Sequence, residues 1–228
     1  MCGRYTLAKA EPTKAALERL GIEIAKDASL PTRYNVAPTQ TMPIVRGGEK
    51  AELMAMRWGS NWRDKDNKIV LSINARSEKA SFSRFKHAVK DRRCLVPADG
   101  FYEWDRSKTP SVPHLFQTTG GNPFWIAGAW DEQTEEFPAG YLVFTTAPNA
   151  MVGQIHDRMP VILTDEMARA WLQPGPLTGS KIEELCAPYP AEQMRDTIVG
   201  PAVSSTRNDS PECVQPPKPI SIEDFRLE

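Results

Sequence analysis

The chain has 228 residues, of which 40% are hydrophobic and 25% are charged. This composition supports a folded core and excludes a disordered or collagen-like chain. The mean hydropathy is −0.45 and no apolar run reaches about 18 residues, which excludes a membrane-spanning helix. The first residues lack a basic stretch followed by an apolar segment. We therefore expect no secretory signal, and a cytoplasmic protein that associates with the nucleoid if the host is bacterial.

The formal net charge of −1 hides an asymmetry along the chain. Residues 1–108 carry a net charge of +8, and residues 109–228 carry −9. A basic surface formed by the first half would attract phosphates even though the whole molecule is nearly neutral. A solvated surface without a partner would have the same charge distribution, so charge alone leaves nucleic-acid binding open.

Apolar periodicity and turn residues predict the elements of the first half. Gly47-Gly48 separates two strand patterns and predicts a hairpin. In chain order, the prediction is a helix over 10–26, a loop over 33–38, hairpin strands over 42–46 and 51–58, a charged loop over 60–68, a buried strand over 69–73 and a short basic helix over 81–90.

In the second half, β-branched and aromatic residues predict strands, and Thr164 is typical of a helix N-cap. We expect one α+β domain over 1–228, with a mostly antiparallel, barrel-like sheet flanked by short helices. The predicted strands are 93–104 (turning at Asp99-Gly100), 113–118, 123–130 and 140–146; the helices are 164–172 and 179–187, and the proline-containing tail is extended from about 201.

The four cysteines and three histidines show no spacing typical of a metal site, so no metal and no cofactor is predicted. Cys2 differs from the other cysteines because it follows the initiator Met1. Removal of Met1 would expose an α-amine and a thiol on neighbouring carbons. Such an aminothiol condenses with an aldehyde to an imine and then closes a thiazolidine ring, aided by the proximity of the two groups. An incidental second residue is the alternative interpretation.

Two further residues suit proton transfer. Glu103 lies between aromatic residues after a turn, where burial would raise the pKa of its carboxyl; a solvent-facing strand residue is the alternative. His156 lies in a charged segment beside Arg158, which suits a phosphate or carboxylate; a structural histidine is the alternative. His87 and His114 are assigned no role.

Several other polar or aromatic residues occupy positions typical of a binding site. Asn74 and Arg76 follow a predicted buried strand, and Arg4 flanks Cys2. Asn35 lies in a proline-bounded loop. Trp62 lies in a charged loop, where an aromatic ring stacks on a base or simply packs on the domain.

Five short segments stand out along the first 160 residues. They are Met1-Cys2-Gly3-Arg4-Tyr5, Tyr34-Asn35-Val36-Ala37-Pro38-Thr39-Gln40, Ile73-Asn74-Ala75-Arg76-Ser77-Glu78, Pro97-Ala98-Asp99-Gly100-Phe101-Tyr102-Glu103-Trp104 and His156-Asp157-Arg158-Met159-Pro160. In this order they resemble the SRAP family, the SOS response-associated peptidases. Each segment is weak alone, but together they are specific over residues 1–160, and 204–213 resembles the family's C-terminal segment. Gly59-Ser60-Asn61-Trp62 is more polar than the corresponding stretch of the family.

The resemblance implies the SRAP fold and a monomeric sensor of abasic sites in single-stranded DNA. It implies a covalent thiazolidine crosslink through Cys2 after self-catalysed removal of Met1, with strand cleavage prevented. Asn74 would orient Cys2, while Glu103 and His156 would move protons. The DNA contacts it implies are Arg4, Asn35, Trp62, Arg76, Trp104, Thr145 and Arg158.

Two other functions remain open from the sequence. One is a cysteine-type peptidase that acts on external peptides, with Cys2 as nucleophile, His156 as base and Glu103 as the orienting group. The other is a non-covalent single-stranded DNA-binding module in which Cys2 is incidental. Turnover of peptides separates the first from a crosslinker, and the effect of Cys2→Ala separates the second.

Overall fold

The computed structural model describes residues 2–22, 24, 30–80 and 85–218. The strands within them are β1 Tyr5–Leu7, β2 Arg33–Val36, β3 Thr41–Arg46, β4 Glu52–Trp58, β5 Ser60–Arg63, β6 Ile69–Ser72, β7 Asn74–Arg76, β8 Arg93–Ala98, β9 Gly100–Asp105, β10 Val112–Thr118, β11 Phe124–Asp131, β12 Gly140–Thr146, β13 Met159–Pro160, β14 Ile162–Leu163 and β15 Met194–Ile198. The α-helices are α1 Ala10–Arg19, α2 Phe85–Asp91, α3 Asp165–Leu172 and α4 Gly179–Leu185.

Five of these strands close into a barrel. β4 pairs with β3, β3 with β8, β8 with β11 and β11 with β12, all antiparallel. The ring closes because β12 returns beside β4 as a parallel neighbour, with Tyr141 opposite Trp58. Closure leaves the five strands without a free edge between them. The predicted α+β class and the mostly antiparallel, barrel-like sheet are confirmed.

A second sheet, in the order β15-β10-β9-β1-β2, packs beside the barrel. Side chains alternate between its two faces. Phe101 of β9 and Phe116 of β10 stack with ring centroids 5.2 Å apart and join the core of the barrel. Their chain neighbours Tyr102 and Leu115 lie on the other face and pack with Val203 of the C-terminal segment. Strand β9 therefore has one face toward the barrel and one toward the end of the chain.

The helices cover the outer surface of the barrel. Trp171 of α3 is fully buried there, and its indole N–H donates to the carbonyls of Cys94 and Gly128. Thr164 caps α3 by accepting from the backbone N–H of Met167, as predicted. Among the described residues, none of the helices has the length and apolar character needed to cross a membrane.

The predicted bounds are confirmed within one or two residues at most ends for the β3–β4 hairpin, for the strands that correspond to β8–β12 and for helices α3 and α4. The first helix is shorter than predicted and ends at Arg19. Gly21 adopts a φ of +74°, and the N–H of Ile22 returns to the carbonyl of Leu17, which ends the helix as a glycine C-cap does. Residues 23 and 25–29, and 81–84 of the basic helix, lie outside the described residues.

Two predictions between residues 60 and 73 are wrong. The charged loop over 60–68 begins as strand β5, which pairs with β6 as a hairpin. Asp64 accepts from the N–H groups of Asp66 and Lys68 and stabilises the turn, so the polar residues belong to the turn. The strand over 69–73 is not buried: Ile69 is 56% exposed and Leu71 is 40% exposed.

Two other segments also differ from the prediction. The loop over 33–38 contains β2, which pairs with β1 at Val36. The tail from about 201 is not simply extended, because short 3-10 turns occur at Pro201–Ser204 and Pro211–Val214. In both turns proline occupies the first turn, where its missing N–H costs no hydrogen bond.

Candidate functional site

Cys2 lies buried where the start of the chain meets the second sheet, with 1% of its surface exposed. The N–H of Tyr102 donates to the carbonyl of Arg4 (3.0 Å), which extends the β1–β9 pairing toward Cys2. The Cys2 Sγ lies 3.8 Å from the same carbonyl. Burial, and next the charge of Glu103, raise the pKa of the thiol well above its usual range. The sulfur is therefore a neutral thiol until a neighbouring base takes its proton.

Glu103 faces the barrel from β9 and is 3% exposed. Burial raises the pKa of its carboxyl to about 7. A carboxyl of this kind is present as acid and as base in comparable amounts near neutral pH, which suits general acid–base catalysis. The sequence analysis predicts that burial raises the pKa of Glu103, and the buried position of this carboxyl agrees with that prediction.

His156 approaches Glu103 from the loop before β13. Its Nε2 lies 3.9 Å from Glu103 Oε2, while its Nδ1 lies 3.0 Å from the backbone N of Arg158 and 3.1 Å from Asp157 Oδ1. Burial lowers the pKa of the imidazole. Burial therefore favours the neutral form of both the carboxyl and the imidazole. Each group is able to give or take a proton while its neighbour is neutral.

Asn74 connects Cys2 to the barrel. It begins β7, a short strand parallel to β12, and its Nδ2 donates to the carbonyl of Cys2 at 2.8 Å. Its Oδ1 is buried and has no hydrogen-bond partner among the described residues. The amide thus holds the Cys2 backbone and keeps an acceptor available beside it. Arg76, two residues later on the same strand, is exposed to solvent.

Arg158 is paired with a carboxylate, one of the two partners that suit it. It is 9% exposed and forms a two-pronged ion pair with Glu78, at 2.6 and 2.8 Å. Its Nη2 also donates to the carbonyl of Thr145 at 2.5 Å. Thr145 is itself 1% exposed. Both side chains are therefore engaged by other groups of the protein, and the side chain of Glu78 is 54% exposed at this position. The contact of Arg158 and Thr145 with DNA stays a prediction.

Arg4 and Asn35 lie on the opposite face of β9. Arg4 Nη1 donates to Asn35 Oδ1 (2.7 Å) and to the carbonyl of Val203 (2.7 Å), and its guanidinium lies 5.7 Å from the centroid of the Trp104 ring. The Asn35 amide donates to the carbonyls of Val203, Ser205 and Asn208, and none of its surface is exposed. We name residues 199–214, held in this way, the C-terminal clasp. Asn35 therefore has no atom free to line a DNA site.

Trp62 and Trp104 are partly exposed. Trp62 lies on β5, where its indole N–H donates to Ser72 Oγ at 2.9 Å across the hairpin. Trp104 Nε1 lies 3.4 Å from Ser204 Oγ of the clasp. One edge of each ring is thus held by the protein while part of the ring surface remains accessible for stacking.

The structure brings Cys2, Asn74, Glu103 and His156 together from four separate segments, as one candidate reaction centre. The described residues contain no group of three metal-ligating side chains. The sequence pattern missed Glu78 as the partner of Arg158, although Glu78 lies in a segment that the resemblance singled out. It also missed Arg106, an exposed cation whose charge lowers the pKa values of both Glu103 and His156.

A family model described as SOS response associated peptidase (SRAP) matches residues 1–206. The chain belongs to the SRAP family. The match includes the whole reaction centre and the first part of the clasp, so the resemblance expected from five short segments extends over most of the sequence.

Curated relatives of this SRAP protein carry a common description. The abasic site processing protein YoqW of Bacillus subtilis is 36% identical over 225 residues, covering 94% of this chain and 99% of the relative. The abasic site processing protein YedK of Escherichia coli is 31% identical, covering 95% and 100%. The abasic site processing protein HMCES of Xenopus tropicalis is 29% identical, covering 79% of this chain and 65% of the longer relative.

Solved structures share the fold. A protein from Bacteroides thetaiotaomicron superposes with a TM-score of 0.76 at 22% identity, covering 94% of this chain and 99% of that one. A phage-related protein from Bordetella bronchiseptica superposes with a TM-score of 0.66 at 27% identity, covering 87% and 94%.

Proposed function

We propose that this SRAP protein recognises abasic sites in single-stranded DNA and links itself to them through Cys2. The observation that carries the proposal is the buried Cys2 next to a carboxyl with a pKa of about 7, with Asn74 on its carbonyl. The relatives described as abasic site processing proteins support the same substrate. An abasic deoxyribose opens to an aldehyde, the functional group that an aminothiol captures.

The first chemical step uses the α-amine that Met1 removal exposes. The amine adds to the aldehyde carbon, and loss of one water from the adduct gives an imine. Water leaves more readily when an acid protonates the oxygen, and Glu103 in its protonated form supplies that proton. The imine that results keeps a proton on its nitrogen, and Glu103 is left as a carboxylate. The open acceptor Asn74 Oδ1 is suited to hold an N–H of the amine while the carbon approaches.

The second step closes the ring. The Cys2 sulfur adds to the carbon of the protonated imine, the nitrogen keeps its proton as the C=N double bond becomes single, and the thiol loses its proton. Because burial keeps the thiol neutral, a base must take its proton as the sulfur attacks. Glu103, which became a carboxylate in the preceding step, is the base whose charge acts on that thiol. The thiazolidine removes the imine that would otherwise promote strand cleavage.

Removal of Met1 is part of the proposed function, because a peptide-bonded nitrogen is not a nucleophile. We propose that the same centre catalyses this hydrolysis once per molecule and turns over no external peptides. A non-covalent DNA module would not need a buried aminothiol beside a titrating carboxyl.

DNA binding would rely on exposed cations and partly exposed rings. Arg76 lies two residues from Asn74, and the exposed Arg106 acts electrostatically on Glu103 and His156. Both would contact phosphates around the lesion, and Trp62 and Trp104 offer surfaces on which bases stack. We also propose that residues 1–228 act as one domain, since the clasp contributes to the support of β9.

The experiment mixes the protein with single-stranded oligonucleotides that contain an abasic site, a tetrahydrofuran analogue without an aldehyde, or an unmodified base. We expect a heat-stable adduct on a denaturing gel with the abasic strand alone. A peptide-cleavage assay runs in parallel. An adduct with the tetrahydrofuran strand, or repeated peptide turnover without any adduct, would contradict the proposal.

A further inference from the structure

His114 lies one strand away from the reaction centre. On β10 it is the register partner of Glu103 on β9, so the two side chains share one face of the sheet with Cβ atoms about 5 Å apart. His114 is 7% exposed and Glu103 is 3% exposed. A buried imidazole therefore lies beside the buried carboxyl.

Asp196 of β15 holds the other side of this imidazole. His114 Nδ1 lies 2.8 and 3.0 Å from the two carboxylate oxygens of Asp196. A carboxylate accepts hydrogen bonds, so Nδ1 carries the proton and the lone pair of the neutral ring is on Nε2. The Asp196 side chain is 30% exposed, and β15 forms an edge of the second sheet among the described residues. Asp196 thus connects the buried imidazole with solvent.

The ring of His114 is fixed by packing. It stacks on Phe116 with an interplanar angle of 18° and a centroid distance of 6.2 Å, and Phe116 stacks in turn on Phe101. These aromatic rows hold the imidazole between β9 and β15. The sequence pattern assigns no role to His114, because Asp196 follows it by more than 80 residues and only the β10–β15 pairing brings them together.

We propose that His114 and Asp196 form a proton relay between Glu103 and solvent, acting as positioning residues for the crosslinking reaction; the inference rests on the proposed function. A proton leaves the Glu103 carboxyl and binds His114 Nε2, directly or through one water. The resulting imidazolium lies between two carboxylates. Its Nδ1 proton then passes to Asp196 and to water. One proton moves outward, no other bond changes, and the reverse sequence protonates Glu103 again.

Such an exchange sets the protonation state of Glu103 before the reaction, because the first step needs the protonated carboxyl and Glu103 is deeply buried with a pKa of about 7. The other charged or titratable groups near it are Cys2 and the terminal amine, Asp105 on β9, and Arg106, His156 and Asp157 from the loops. The hydrogen bonds from Ser107 lower the pKa of Asp105 most, and the charge of His114 adds the smallest of the contributions to this lowering.

The test compares His114→Gln with His87→Gln, an exposed histidine of α2, and with Asp196→Asn. Carbon-13 NMR follows the titration of the Glu103 carboxyl without DNA, and a quench assay follows the rate of adduct formation against pH. We expect His114→Gln to slow adduct formation about tenfold and to raise the midpoint of the Glu103 titration. Asp196→Asn should act in the same direction with a smaller effect, and His87→Gln should match the wild type.

An unchanged Glu103 titration together with an unchanged pH–rate profile in His114→Gln would overturn the relay. If His114→Gln does not fold, Asp196→Asn decides by the same two measurements, since Asp196 is partly solvated at a sheet edge. Failure of the wild-type protein to form any adduct would count against the proposed function instead. The NMR titration would still decide whether His114 and Asp196 act on Glu103.

Discussion

The two faces of β9 bury polar groups for different purposes. On the barrel side, burial displaces the pKa values of Glu103 and Cys2 away from their ordinary ranges. On the other side, Asn35 is equally buried, but its amide is hydrogen-bonded to Arg4 and to three carbonyls of the C-terminal clasp. Displaced pKa values are typical of functional centres, whereas satisfied buried amides stabilise a fold. Strand β9 therefore presents a titrating carboxyl on one face and packs against hydrogen-bonded groups that stabilise the fold on the other.

The largest expected effect is at Cys2. Cys2→Ala removes the sulfur, so we expect complete loss of the heat-stable adduct while salt-sensitive binding to single strands is retained. Cys2→Ser keeps the amine and should give an imine that borohydride traps. A denaturing gel with and without borohydride measures both. A heat-stable adduct from Cys2→Ala would refute the role of the thiol.

Glu103→Gln should lower the rate of adduct formation by about 10²–10³-fold, within the range for loss of a general acid–base group. Rates from quenched reactions at pH 5 to 9 measure the effect. The wild-type profile should change near pH 7, where Glu103 titrates, and this feature should be absent from the variant. A variant with the wild-type profile would assign the proton transfers to another group.

The same substitution should increase stability at high pH. The pKa of Glu103 is raised from an ordinary value of 4.5 to about 7 in the folded protein. The folded state therefore binds more protons between these values, and stability falls as the pH rises through them. Glu103→Gln removes this loss, which is at most about 3 kcal/mol at pH 8. Thermal unfolding at pH 4.5 and pH 8 measures it.

Glu78→Gln is the matched control, with the opposite sign. The hydrogen bonds from Arg158 lower the pKa of the Glu78 carboxyl, so its contribution to stability is present above the ordinary pKa and is lost as the pH falls. Glu78→Gln should therefore reduce stability at pH 8 and have little effect on adduct formation. A change of stability in the same direction for both variants at pH 8 would contradict the assignment of the two carboxyls.

On the clasp side, Asn35→Ala should cost about 3 kcal/mol of folding free energy, because it leaves several buried groups without partners. Adduct formation should persist at temperatures where the variant is folded. Denaturant unfolding gives the free energy, and Asn208→Ala, which removes one exposed hydrogen bond to Ala202, should cost less than about 1 kcal/mol. Equal losses would show that the clasp does not depend on Asn35.

The smallest effect is expected at the surface. Arg76→Ala should weaken DNA binding modestly and reduce the salt dependence of the affinity by about one phosphate contact. Binding to an unmodified single strand at several salt concentrations measures the slope. Arg158→Met, by contrast, should destabilise the fold through the loss of its pair with Glu78 and leave that slope unchanged.

Local patterns predicted the parts of this structure that depend on neighbouring residues. The β3–β4 hairpin follows from Gly47-Gly48, and the start of α3 follows from Thr164. The closure of the barrel through the parallel β12–β4 contact depends on residues about 80 positions apart, for which the sequence has no local signal. The pairing of polar residues in the β5–β6 hairpin was likewise hidden, because an exposed ribbon lacks the alternation of a half-buried strand.

The candidate site divides in the same way. Cys2, Glu103 and His156 were identified by their chemistry, and the fold brings them together. Arg158, Thr145 and Asn35 carry suitable groups for DNA, and in this structure each is engaged by tertiary contacts that the sequence did not indicate. Composition and spacing do not reveal which partner an arginine or an amide finds. The role of Asp196 was equally inaccessible, since the β10–β15 register alone places it beside His114.

Intact mass of the purified protein, alone and after incubation with an abasic oligonucleotide, tests the central claim most directly. We predict a protein without Met1 that gains the mass of one oligonucleotide minus one water and retains it after heating. An adduct of the same mass increment on protein that still carries Met1 would contradict the account, as would full loss of Met1 with no adduct at all.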